Sequence, residues 1–128
     1  MEGSVRRKER DLYEDMDRDL LEVHVRPLVT RELVEEHRAR PLGHHSDALE
    51  RVLIYLARNH GHQRGAYVIV ATRPNREWGV ARLSGERGVP PAIIGDERFR
   101  SREEAEHGVF LRRLADLSLR PEEPPSRW

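Results

Sequence analysis

Apolar residues recur along this chain at two spacings, and the change from one to the other divides it into elements. Leu12, Met16, Leu20 and Val23 are three or four residues apart. That spacing predicts a helix within residues 1–26 with a narrow apolar stripe, which needs a surface to lie on. Pro27 interrupts the chain. Thr30 can cap a short helix running to His37 or Arg38, with Leu33 and Val34 apolar. Residues 41–46, PLGHHS, read as a loop. Ser46 can cap the next helix, whose Leu49, Val52, Leu53 and Leu56 form a core-facing stripe ended by Asn59–Gly61.

The period then shortens. Tyr67–Thr72 is apolar on both faces and reads as a central strand. Arg73-Pro74-Asn75-Arg76 is turn chemistry. In Glu77–Leu83 the side chains of Trp78, Val80 and Arg82 share one face. Pro91–Ile94 is a short strand, placed at an edge by its prolines. Ser101 and Glu104 form a capping box opening a last helix, with Ala105, Val109, Phe110, Leu114 and Leu117 apolar. The expected fold is α+β: N-terminal helices, a three-stranded antiparallel meander, and a C-terminal helix packed on the sheet. Its expected divisions are an amphipathic helical arm at 1–26, an α+β core domain at 27–119 and a flexible Pro-rich tail at 120–128.

Composition narrows the function. The chain has 128 residues, 37% apolar and 36% charged, with seven aromatics. Its one core must be thin and mostly aliphatic. Such a chain suits completion against a partner, or a heat-adapted protein with ion-pair networks. Acidic and basic residues balance at 23 each, so no net field draws it to nucleic acid or an acidic membrane. Lys8 is the sole lysine; the other cations are Arg, the side chain suited to bidentate interface contacts. Cysteine is absent, which excludes a disulfide framework and a thiolate zinc site. The N-terminal residues lack a secretory pattern and the longest apolar run, Ala66–Ala71, is far too short to span a membrane, so a cytoplasmic location is expected.

Candidate chemistry is sparse. His37, His44, His45, His60 and His62 lie close in sequence, but the helix that separates His44 and His45 from His60 and His62 is about 20 Å long at 1.5 Å per residue. The expectation is solvated or capping histidines and no metal or cofactor, with the role of His44, His45, His60 and His62 left open. Ser46 and Ser101 read as caps, no nucleophile elbow is present, and no catalytic residue is expected. Arg82 is either an exposed strand residue or an interface anchor beside Trp78.

Several segments carry a resemblance: VEEHRARPLG at 34–43, SDALERVLIYLARN at 46–59, YVIV at 67–70, EWGVARL at 77–83, G-x-P-P at 88–91 and FRSREEAEHGVFLRRLADL at 99–117. In this order the chain resembles the small (alpha) subunit of N,N-dimethylformamidase, most specifically through E-E-A-E-H-x-V-F-L-R-R at 103–113. The resemblance implies an accessory role, because in that enzyme the large subunit holds the iron site and the catalytic residues. The expected function is thus an interaction subunit that binds a larger protein or self-associates. Its interface would include Leu12, Met16, Leu20, Trp78 and Arg82. The alternative is a nucleic-acid module laying the three-stranded sheet in a groove through Arg73, Arg76, Arg82 and Arg87; the neutral charge speaks against it.

Overall fold

The computed structural model describes Leu12, residues 15–59, residues 66–119 and Pro121. Residues 15–19 are α-helical and pass into a π-helical turn, Leu20–Val25, followed by a 3₁₀ turn, Arg26–Leu28, that accommodates Pro27. The wider turn rotates the apolar stripe. Leu20 and Leu21 swing against the core and Val25 is buried, while Val23 stays in solvent.

Helix α1, Arg31–Ala39, starts at Thr30, whose Oγ1 accepts the Leu33 N–H at 3.2 Å. Helix α2, Asp47–Asn59, starts at Ser46, whose Oγ accepts the Leu49 N–H at 3.2 Å. The same serine donates from Oγ and from its backbone N–H to the two carboxylate oxygens of Glu36, both at 2.7 Å. The α1–α2 connection is therefore fixed at both ends, with Gly43 taking the positive φ of 108° that its turn requires.

Strands β1, Tyr67–Arg73, β2, Glu77–Arg82, and β3, Ala92–Ile93, form an antiparallel sheet in the order β1-β2-β3. Asn75 turns the first hairpin with φ 60°, a conformation asparagine tolerates. The sheet corrects one expectation. Tyr67–Thr72 has the two-sided apolar sequence of a central strand, yet among the described residues β1 has one neighbouring strand and β2 has two. Position in a sheet depends on partners elsewhere in the chain, which a strand's own sequence does not encode.

Helix α3, Arg102–Asp116, closes the fold. Ser101 Oγ accepts the Glu104 N–H at 3.1 Å, and the Glu104 carboxylate reaches back to the Arg100 N–H at 3.2 Å, one residue beyond the N-cap. The core has two parts. Val25, Leu33, Val34, Leu49, Val52 and Leu56 pack with Phe110 and Leu114 of α3. Tyr67 and Val80 of the sheet pack with Val109, flanked by Ile69, Ile94 and Phe99. Both clusters need α3, and each fully buried aliphatic side chain contributes about 1.5–3 kcal/mol of transfer free energy. The C-terminal helix is thus packed on the sheet as the sequence pattern predicts. No helix among the described residues is long and apolar enough to cross a membrane.

Candidate functional site

The helical spacing of α1 places His37 on the stripe of Leu33 and Val34. In α3 it places His107 on the stripe of Phe110 and Leu114. The two stripes meet where α1 crosses α3. There the imidazoles share a hydrogen bond between their Nδ1 atoms at 2.9 Å. Residual exposure is 3% for His37 and 8% for His107. Phe110 stacks on His37 with ring centres 4.0 Å apart. His45 lies over the outer side of His37 at 6.1 Å, its Nε2 2.7 Å from the Arg40 carbonyl oxygen.

A bond between two Nδ1 atoms requires one proton between them, so one ring donates and the other accepts. Burial pushes His37 down to about 3, helped by the positive fields of His107 and His45. Burial likewise pushes His107 down to about 4, helped by Arg38. Both are neutral at pH 7. The Nε2 of His107 is buried without a partner, as are the Nε atoms of Arg112 and Arg113.

His107 also lines an open groove of about 830 Å³ beside α3. Arg38 and Pro41 form one end, Tyr67 and Arg82 the sheet side, and Phe99 the floor. The Tyr67 hydroxyl donates to Asp116 Oδ2 at 2.5 Å and accepts from the Arg82 guanidinium at 3.0 Å. Burial and the Asp116 carboxylate hold the Tyr67 hydroxyl above its ordinary range. Arg112 donates to Glu97 at 2.8 Å. Phe99 rests against Gly108; a Cβ there would stand 2.5 Å from the ring. The ring is held from behind, because Trp78 and Phe99 exchange both backbone hydrogen bonds, at 2.8 and 2.9 Å.

The groove's charged groups largely neutralise one another, and its imidazole is neutral and half of a closed pair. No activated nucleophile stands among them. Among the described residues, no group of three His, Asp or Glu side chains is placed to hold a metal ion.

The sequence-predicted interface residues separate in space. Leu12 and Met16 are 59% and 58% exposed, and Val23 joins them at 62%. Leu20 has turned inward to half-burial against the core. Trp78 and Arg82 share a sheet face with Val80, as their alternation predicts, but it is the face α3 covers. Trp78 is half-buried beside Phe99, and Arg82 stands at the margin with its guanidinium carbon 5.0 Å from the Tyr67 ring centre. The ring it engages is Tyr67, its cross-strand neighbour. His44 is exposed, whereas His60 and His62 lie outside the described residues. His37 is buried, not solvated or capping as expected. His107, Tyr67 and Asp116 were not singled out from sequence. The available signal was that both paired histidines continue an apolar helical stripe.

Residues 11–123 match the family model described as N,N-dimethylformamidase alpha subunit. The chain is 41% identical over 93 residues to the N,N-dimethylformamidase alpha subunit of Alcaligenes sp, covering 67% of this chain and 64% of that protein. It is 34% identical over 113 residues to the subunit of the same name from Paracoccus aminophilus, covering 84% of this chain and 76% of that one. The first alignment thus spans less than two thirds of its relative.

Proposed function

We propose, on the premise that the chain belongs to the N,N-dimethylformamidase alpha subunit family, that it is a non-catalytic accessory subunit which binds and stabilises a larger protein. The observation that carries this reading is the exposed apolar row of Leu12, Met16 and Val23 on the N-terminal segment. Ile54 of α2 is similarly exposed, at 61%. The segment rests on α2, where the Tyr55 hydroxyl donates to Asp17 at 3.3 Å. A helical surface with this much apolar area facing water is stabilised by a second protein. The Arg112–Glu97 and Arg82–Tyr67–Asp116 pairings in the groove support a role without chemistry of its own. Residues 1–26 are the arm that carries the contact, 27–119 the supporting domain, and 120–128 a tail beyond it.

The rival nucleic-acid reading gains nothing from the sheet. The face turned away from α3 carries Val68, Val70 and Ala81, and Arg98, which lies over Gly79, bonds its guanidinium to the Gly95 and Glu97 carbonyls, so that face offers no basic stripe.

Co-expression with the large dimethylformamidase subunit from the same genome, followed by size-exclusion chromatography with light scattering, tests the proposal. The full chain should elute in a hetero-complex. Removal of residues 1–26, or Met16→Asp, should release it. A complex indifferent to both changes would place the contact elsewhere, and a full chain that never joins the large subunit would refute the accessory role.

A further inference from the structure

We propose, resting on the accessory-subunit reading above, that the groove beside α3 holds an extended, uncharged peptide segment of the large subunit, and that a main-chain carbonyl of this segment accepts the hydrogen bond that His107 Nε2 lacks. His107 is more than nine-tenths buried and lines the groove. Its Nδ1 is taken by His37, which leaves Nε2 for the groove wall. Among the described residues nothing bonds that nitrogen, nor the buried Nε of Arg112 on the Glu97 side of the same groove. The Arg112 Nε–H is always a donor, and His107 Nε2 becomes one when its Nδ1 accepts the His37 proton. A buried donor left unpaired costs about 1–3 kcal/mol. Both flanks of the groove therefore lack an acceptor.

The groove's dimensions and charge narrow the occupant to a peptide. It follows α3 from Glu103 to Asp116, about 20 Å at 1.5 Å per residue. An extended segment of about six residues spans that length at 3.3 Å each. Successive carbonyls of an extended chain point to opposite sides, so one segment serves the His107 flank and the Arg112 flank together. Arg112 is already bonded to Glu97, and the Tyr67 hydroxyl to both Arg82 and Asp116. A charged occupant would enter without a counter-ion or break one of these pairs, so an uncharged one fits. Phe99 and Leu111 offer its side chains an apolar floor. At the α1 end the wall is movable: Arg38 is half-exposed and meets Glu35 only at 3.5 Å.

The absence of cysteine permits a direct test in the co-expressed complex. Ala115→Cys, placed on the groove wall, carries a single benzophenone photo-crosslinker. Mass spectrometry should find it joined to one short, uncharged segment of the large subunit. Two replacements of His107 separate the groove bond from the imidazole pair. Asparagine keeps an acceptor near Nδ1 for His37 and removes the groove donor, whereas glutamine keeps a donor near Nε2. Affinity for the large subunit, read by interferometry, should fall about fivefold in His107→Asn and stay close to wild type in His107→Gln. Equal losses in both variants would reduce His107 to packing and overturn the proposal. So would a complex that forms while the crosslinker reaches only a second copy of this chain, or nothing, and that outcome leaves the accessory role standing. A chain that forms no complex at all removes both.

Discussion

The shared proton of the His37–His107 pair makes a pH dependence calculable. Both groups titrate in the folded chain below the ordinary histidine value, at about 3 and about 4. Above pH 6.5 neither state binds the extra protons and the pair costs nothing. As the pH falls through 6.5 the unfolded chain takes up protons that the folded chain refuses. Stability then drops by up to about 1.4 kcal/mol per pH unit for each imidazole, levelling off only near the folded values. Urea midpoints between pH 7.5 and 5 should decrease accordingly, and a His37→Phe/His107→Leu double variant should flatten the curve. A wild-type midpoint constant over this range would show that the rings accept protons in place. Gly108 offers a second test. Alanine would gain about 1 kcal/mol of helix propensity, but its Cβ would stand 2.5 Å from a ring pinned by the Trp78 bridge. Overpacking of that kind costs about 1–3 kcal/mol. Thermal denaturation should therefore rank Gly108→Ala below wild type, with Phe99→Leu in the same chain restoring part of the loss. None of these pairings was legible beforehand. A histidine on an apolar stripe has the same spacing whether it meets water or another imidazole, and the partner here is 70 positions away.

At the scale of elements, local chemistry was read well and non-local chemistry was not. Thr30, Ser46 and Ser101 cap the helices assigned to them, because a cap is decided within four residues. Glu36, which holds Ser46 across a loop, escaped notice. Its carboxyl lies below the usual range because it accepts both Ser46 hydrogen bonds. Ser46→Ala removes the cap and one of those bonds, and should cost about 1 kcal/mol in chemical denaturation. Glu36→Gln keeps an acceptor and should cost less; the reverse order would mean that the carboxylate, not the cap, fixes this loop. The inward turn of Leu20 follows from a π-helical step, where the Arg26 N–H reaches the Leu21 carbonyl. A one-residue change in helical repeat leaves no mark in a pattern of threes and fours. That β1 has one neighbouring strand among the described residues was hidden for a related reason: how many strands flank a segment is a property of the sheet.

For the whole molecule, the α+β architecture was legible because periodicity changes cleanly at Tyr67 and again at Ser101. The family resemblance was legible because its most specific segment coincides with α3, the helix both core clusters require. Of the surface residues singled out from sequence, Leu12 and Met16 face water while Trp78 and Arg82 border the face that α3 covers. Among the described residues α3 is also the last element in chain order, and that has a consequence for biosynthesis. While a ribosome is still making the earlier helices and strands, they have nothing to close upon, so neither cluster can consolidate until α3 has emerged from the exit tunnel. Folding must then come late and in a single step, and in a nascent chain stalled before residue 102 the segments of both clusters should remain open to protease.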